Sequence, residues 1–316
     1  MHQINKAQFN LPTRLKVAIL IIATAFLAYS IYWLVNGIIW GYTLTYQLLN
    51  VAQAPFFAQM GTAELTALVI QEYCSVTNSF VLIFCGAFAF QSAVYYVRNN
   101  ENYLRKLGWA LILLAIFSLL LIPASIHHLL GVALGWHMVD ILVGLSYLVQ
   151  ALLILPPLLV LGQKLNTPQN MASIKKWALI AAPTFVFALY FKYLFLWADT
   201  LLPMGPKTAT AASTVGALNS MVTLAIAGAI TIAACYALHK RKNTGKNLAA
   251  VALILVGGFF IIYSLVALFV PVYAWFWYLT DTWMLTLPIL GIALLTQPYQ
   301  QKRDEKPILR MPSNKF

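Results

Sequence analysis

Residues 71–79 read Gln-Glu-Tyr-Cys-Ser-Val-Thr-Asn-Ser, which sets a carboxylate, Glu72, two positions from a thiol, Cys74. Further along stand two adjacent imidazoles, His127 and His128, and then His137 with Asp140 three positions after it. A thiolate can attack a carbonyl carbon, an imidazole can move the proton, and a cation can hold the developing negative charge. These residue types are therefore the parts of nucleophilic acyl transfer. On a helix His137 and Asp140 share a face, so the carboxylate could accept from one imidazole nitrogen and leave the other as a base. Cys74 shares its face with Gln71, Thr77 and Asn78. Glu72 points elsewhere and is expected to pair with another helix or to close the site from the side. Lys192 is a further candidate source of positive charge.

The elements that position these residues follow from composition. Of 316 residues, 61% are hydrophobic and 9% charged, with a mean hydropathy of +0.79, far outside the range of water-soluble domains. Runs of about 20 apolar residues, enough to cross a hydrocarbon core of about 30 Å, occur near 15–40, 66–97, 107–133, 136–162, 177–199, 213–238, 248–270 and 274–296. The first run follows Lys6, Arg14 and Lys16 as a signal peptide would, but it is too long for one and no small-residue cleavage site follows. The expected fold is an all-α polytopic membrane protein with eight transmembrane helices. Residues 1–163 would carry helices 1–4 and the chemistry. Residues 164–316 would carry helices 5–8 and a polar tail, the whole forming one integrated membrane domain.

Charge fixes the expected orientation. Of the 20 Lys and Arg residues, all but Lys192 and Lys207 fall before helix 1, between helices 2 and 3, 4 and 5, 6 and 7, or in the tail. Short basic loops stay in the cytoplasm, so both termini are expected there, in a multi-pass protein of the plasma membrane. The net charge of +12 then reflects sidedness and attraction to anionic membrane lipids, and gives no nucleic-acid reading. The acids behave oppositely: apart from Glu101, Asp304 and Glu305, every carboxylate lies at or near an outer helix end.

Counting residues gives depth. Helix 2 ends inside at Tyr95, Tyr96 and Arg98. About 20 residues back, at about 1.5 Å each, lie Tyr73 to Ser75, so Cys74 is expected at the outer boundary. The same count from Lys106 and Trp109 along helix 3 reaches His127 and His128, and helix 4 begins outside at Trp136 and His137. Pro123, one turn before His127, should loosen the backbone there.

The order Ile70-x-Glu72-x-Cys74-Ser75, an apolar helix, a short basic loop, a helix ending outside in a cationic residue and soon afterwards a histidine resembles the core of the exosortase and archaeosortase family. The resemblance covers about residues 55–163. It implies a membrane-embedded cysteine transpeptidase or protease that uses cysteine, arginine and histidine on the outer face to cut C-terminal sorting signals of exported protein substrates. Two departures are plain: the family's arginine has no counterpart in Ala124-Ser125-Ile126-His127-His128, and its glycine two places after the cysteine is Val76. By position His127 stands where the arginine belongs and His137 where the catalytic histidine belongs, in either a variant or a degenerate site.

In that reading Cys74 attacks the scissile carbonyl, His137 relays the proton with Asp140 orienting it, and His127, His128 or Lys192 stabilises thiolate or oxyanion. A histidine does so only when protonated. This chemistry needs no cofactor. Two rivals stand beside it. Three outer-level histidines could hold haem or copper in a redox protein, although helices 5–8 offer no facing histidine at that level. A small-solute transporter would show inverted repeats, and none is evident.

The bland readings are equally concrete. A lone cysteine in a membrane helix is usually a small packing residue, the expectation for Cys85 and Cys235 and the alternative for Cys74. Lys192 can snorkel toward Asp199, two turns on. Helix 6 is rich in small residues (Ala225, Ala227, Gly228, Ala229, Ala233, Ala234) and should pack tightly, with Ser213 capping it. Tyr273 to Tyr278 form an expected aromatic belt, and the chain after Gln297 should be loose.

Overall fold

The computed structural model describes residues 12–50, 61–123, 125–126, 138–167, 171–201, 211–242, 244–267 and 282–296. Among these there is no strand. The principal helices are α1 (Thr13–Leu49), α2 (Thr62–Val97), α3 (Tyr103–Leu119), α4 (Met138–Asn166), α5 (Met171–Leu201), α6 (Ala211–His239), α7 (Thr244–Ala267) and α8 (Leu287–Leu295), the last entered through a 3-10 turn at Thr282–Thr286. Six of them, α1, α2 and α4 to α7, are long and apolar enough to cross a membrane.

Each helix packs against the next in sequence, and α8 returns to α1, so the helices close into a ring. Close sequential packing follows from the tight turns at the basic end. Both the α2–α3 and α6–α7 turns carry a residue in the left-handed region, Asn99 and Arg241, each at φ 55°. The Asn100 amide donates to the Tyr95 carbonyl (2.8 Å) and the Lys242 amide to that of Ala237 (2.8 Å), the six-residue bond of a Schellman ending. Lys16 Nζ donates to Asn99 Oδ1 (3.0 Å), which ties the start of α1 to the first of these turns.

Packing concentrates in aromatic and small residues. Tyr193 of α5 and Phe259, Phe260 and Tyr263 of α7 are almost wholly buried and meet edge-on, with Tyr193 and Phe259 ring centres 5.0 Å apart. A second core joins α3, α4 and α5, drawing Leu158 and Leu161 from one side of residue 163 and Ala181 and Ala188 from the other. Trp283 links the α5–α7 core to the α1–α3 core, its ring centre 4.9 Å from that of Phe26.

The helix ends depart from expectation in three places. Helix α3 breaks after Leu119 into a turn at Leu120–Leu121, and helix resumes at Ile122–Pro123 and Ser125–Ile126. Proline lacks an amide hydrogen and its ring meets the carbonyl four residues back, so the break falls where that clash begins. The last run divides into the 3-10 turn and α8, with Pro288 in the first turn of α8. Helix α6 begins at Ala211, so Ser213 lies inside it and is not its cap. Of its small residues, Ala227, Gly228 and Ala234 pack inward, while Ala225, Ala229 and Ala233 are exposed. The aromatic run 273–278 and the tail lie outside the described residues.

Where α3 crosses α4, backbone meets backbone. A Cβ on Gly108 would stand 2.8 Å from the Gly162 carbonyl oxygen, and one on Gly162 would stand 2.8 Å from the Gly108 carbonyl oxygen. Neither position can accept a side chain without separating the helices. Gly162→Leu is expected to cost about 1–3 kcal/mol, seen as a lowered thermal midpoint in detergent. Gly258→Ala, with open space around it, should leave the midpoint near that of wild type.

Candidate functional site

Cys74 lies on α2, 21 residues before Tyr95, a rise of about 32 Å, close to the full thickness of the hydrocarbon core. Of the three free cysteines it is the one at the end of the bundle opposite the basic turns, and it is half-buried. Cys85 is a sealed packing residue, 2% exposed, with Sγ donating to the Ala110 carbonyl at 3.1 Å. Cys235 is half-buried on α6 near its basic end.

Around Cys74 the face expected from helical spacing divides. Thr77 is exposed and its hydroxyl donates to the Tyr73 carbonyl (2.8 Å). Gln71 and Asn78, one turn to either side, each bury a side-chain carbonyl oxygen with no hydrogen-bond partner among the described residues. Asn78 is 7% exposed. An unsatisfied buried oxygen of this kind costs about 1–3 kcal/mol, which a bound hydrogen-bond donor would recover. Polar side chains ready to pair thus flank the thiol.

Glu72 turns away from that face, as its spacing requires, and receives the indole N–H of Trp40 from α1 at 2.5 Å. Beside it Thr45 and Tyr73 share a hydroxyl–hydroxyl contact of 3.1 Å. A carboxylate at the edge of the hydrocarbon gains a fixed donor in this way, and an indole belongs at that level. Below the pair, Ser79 occupies the space next to Gly37 and donates to the Val76 carbonyl (2.6 Å), so α1 and α2 run in close contact.

Helix α4 is tied to the segment before the paired histidines. Tyr147 lies within electrostatic reach of Glu72. Ser125, two residues before His127, is buried and donates its hydroxyl to the Gly144 carbonyl at 2.8 Å. The segment leading to the paired histidines is thereby fastened to α4 three residues from Tyr147 and four from Asp140. Asp140 itself stands in the first turn of α4, about 10 Å along the axis from Tyr147.

His127, His128 and His137 lie outside the described residues, as do the side chains of Asp140 and Asp199. Lys192 sits in another sector, on α5 between α4 and α6, with its ammonium 5.3 Å from the centre of the Tyr193 ring. Among the described residues no three His, Cys, Asp or Glu side chains gather as metal ligands would.

Sequence spacing did not reveal Trp40, Tyr147 or the Ser125–Gly144 tie, because each joins residues on different helices. The available signal was the amphiphilic type of Trp40 and Tyr147 near outer helix ends. The chain matches no protein-family model, no curated protein and no solved structure.

Proposed function

We propose that the chain crosses the plasma membrane eight times with both termini on the basic, cytoplasmic side, and that its opposite end carries a cysteine transpeptidase or protease acting on C-terminal sorting signals of exported proteins. Cys74 attacks the scissile carbonyl, forming a thioester and releasing an amine that takes its proton from His137. Asp140 orients that imidazole, and protonated His127, with His128 beside it, holds the negative charge on thiolate and oxyanion. Water or an acceptor amine then attacks the thioester and frees Cys74 as the thiol. Glu72 is a positioning residue, anchored to Trp40.

The observation that carries this reading is the hydrogen bond from Ser125 to the Gly144 carbonyl, which ties the turn before His127 to α4, the helix that bears Asp140. The unpartnered side-chain carbonyl oxygens of Gln71 and Asn78 on the Cys74 face suit the N–H donors of a peptide backbone. In intact cells a membrane-impermeant maleimide is expected to modify Cys74 and to leave Cys85 and Cys235 unmodified. A cysteine placed at Lys246 in a cysteine-free background should react only after permeabilisation. Labelling of Lys246→Cys from outside would overturn the orientation, and an unreactive Cys74 would remove the accessible thiol.

A further inference from the structure

A groove of about 550 Å³ runs along α2 at the basic half of the bundle, away from the cysteine site and independent of it. Its wall is Leu27 of α1 with Phe84, Ala87 and Phe88 of α2, and toward the basic end it finishes in Gln91 and Tyr95. From Phe84 to Tyr95 the helix rises about 16 Å. That is close to half of a hydrocarbon core of about 30 Å, the depth of one leaflet. Gln91 Nε2 donates to the Tyr95 hydroxyl at 3.4 Å, so the polar rim sits where headgroups begin.

Charge selects among lipids. The ammonium of Lys106, at the start of α3, stands 5.2 Å from the centre of the Phe88 ring that forms the groove wall. Around this end lie Arg14, Lys16, Arg98 and Arg105, while Glu101 is the one acid there among the described residues. We infer that the groove is a binding site for one anionic phospholipid of the leaflet at the basic face. One acyl chain lies along Leu27, Phe84 and Ala87, and the phosphate sits beside Lys106 at the rim formed by Gln91 and Tyr95. A zwitterionic lipid fills the same apolar channel but gains less from the ammonium, by about 1 kcal/mol, or about five-fold in occupancy.

Native mass spectrometry of the purified full chain in mild detergent tests this with phosphatidylglycerol and phosphatidylcholine of identical acyl chains. Wild type is expected to retain one phosphatidylglycerol per chain, about five-fold over phosphatidylcholine. Lys106→Gln should bring the ratio to about one, Lys106→Arg should keep it, and Ala87→Phe should displace both lipids by filling the channel. Arg105→Gln, at an exposed neighbour, should behave as wild type. Equal retention of the two lipids by wild type, a loss in Arg105→Gln as large as in Lys106→Gln, a loss in Lys106→Arg, or full retention by Ala87→Phe would each overturn the assignment.

Discussion

Cys74→Ala is expected to abolish processing of exported proteins, lowering the rate by at least about a thousand-fold, because without the sulfur there is no covalent step. Cys74→Ser should fall nearly as far, since a hydroxyl is far less acidic than a thiol and no stronger base stands beside it. Cys85→Ala and Cys235→Ala should retain full activity. Comparing the C-terminal peptides of surface proteins from cells carrying each variant reads the effect directly. Uncut C-terminal segments should accumulate with the Cys74 variants alone. Thermal midpoints of the purified variants separate this from misfolding. Cys74 is half-buried and makes no side-chain hydrogen bond among the described residues, so its removal should shift the midpoint little.

The largest stability effect is expected at Phe259. Its ring is fully buried, and its centre lies 5.0 Å from that of Tyr193, 4.9 Å from Phe260 and 5.7 Å from Tyr263. Phe259→Ala should cost about 3 kcal/mol, the lower end of the range for such truncations. In lipid the unfolded reference is already apolar, so little transfer free energy is lost. What is lost is packing against three rings. Ile262→Ala, on the lipid-facing side of the same helix at 41% exposure, should change the unfolding midpoint by less than about 0.5 kcal/mol. Unfolding titrations in mixed micelles compare the two.

What could be read in advance follows from the range of each signal. Apolar length is a local property, so α1, α2 and α4 to α7 lie where the runs of hydrophobic residues put them. The break after α3 was half legible: Pro123 announced a disturbance, but its place at Leu120–Leu121 depends on a clash four residues back. The divided last helix carries the same mark at Pro288. By contrast, Glu72 could be assigned only some other helix as partner, and Trp40 is set by how α1 crosses α2, where Gly37 lets Ser79 approach. The tie between Ser125 and Gly144 was invisible for the same reason, since a backbone carbonyl leaves no mark in the sequence of its neighbour. Helical period fixes which residues share a face, but not which helix that face meets.

The most direct test is to isolate the chain from cells under acidic conditions that preserve thioesters, digest it, and weigh the peptide containing Cys74. The account predicts a hydroxylamine-labile adduct on Cys74 whose mass is that of a peptide ending at a cut site in an exported protein, with no such adduct on Cys85 or Cys235. An unmodified Cys74 peptide, in cells where Cys74→Ala leaves every surface protein processed as in wild type, would contradict it.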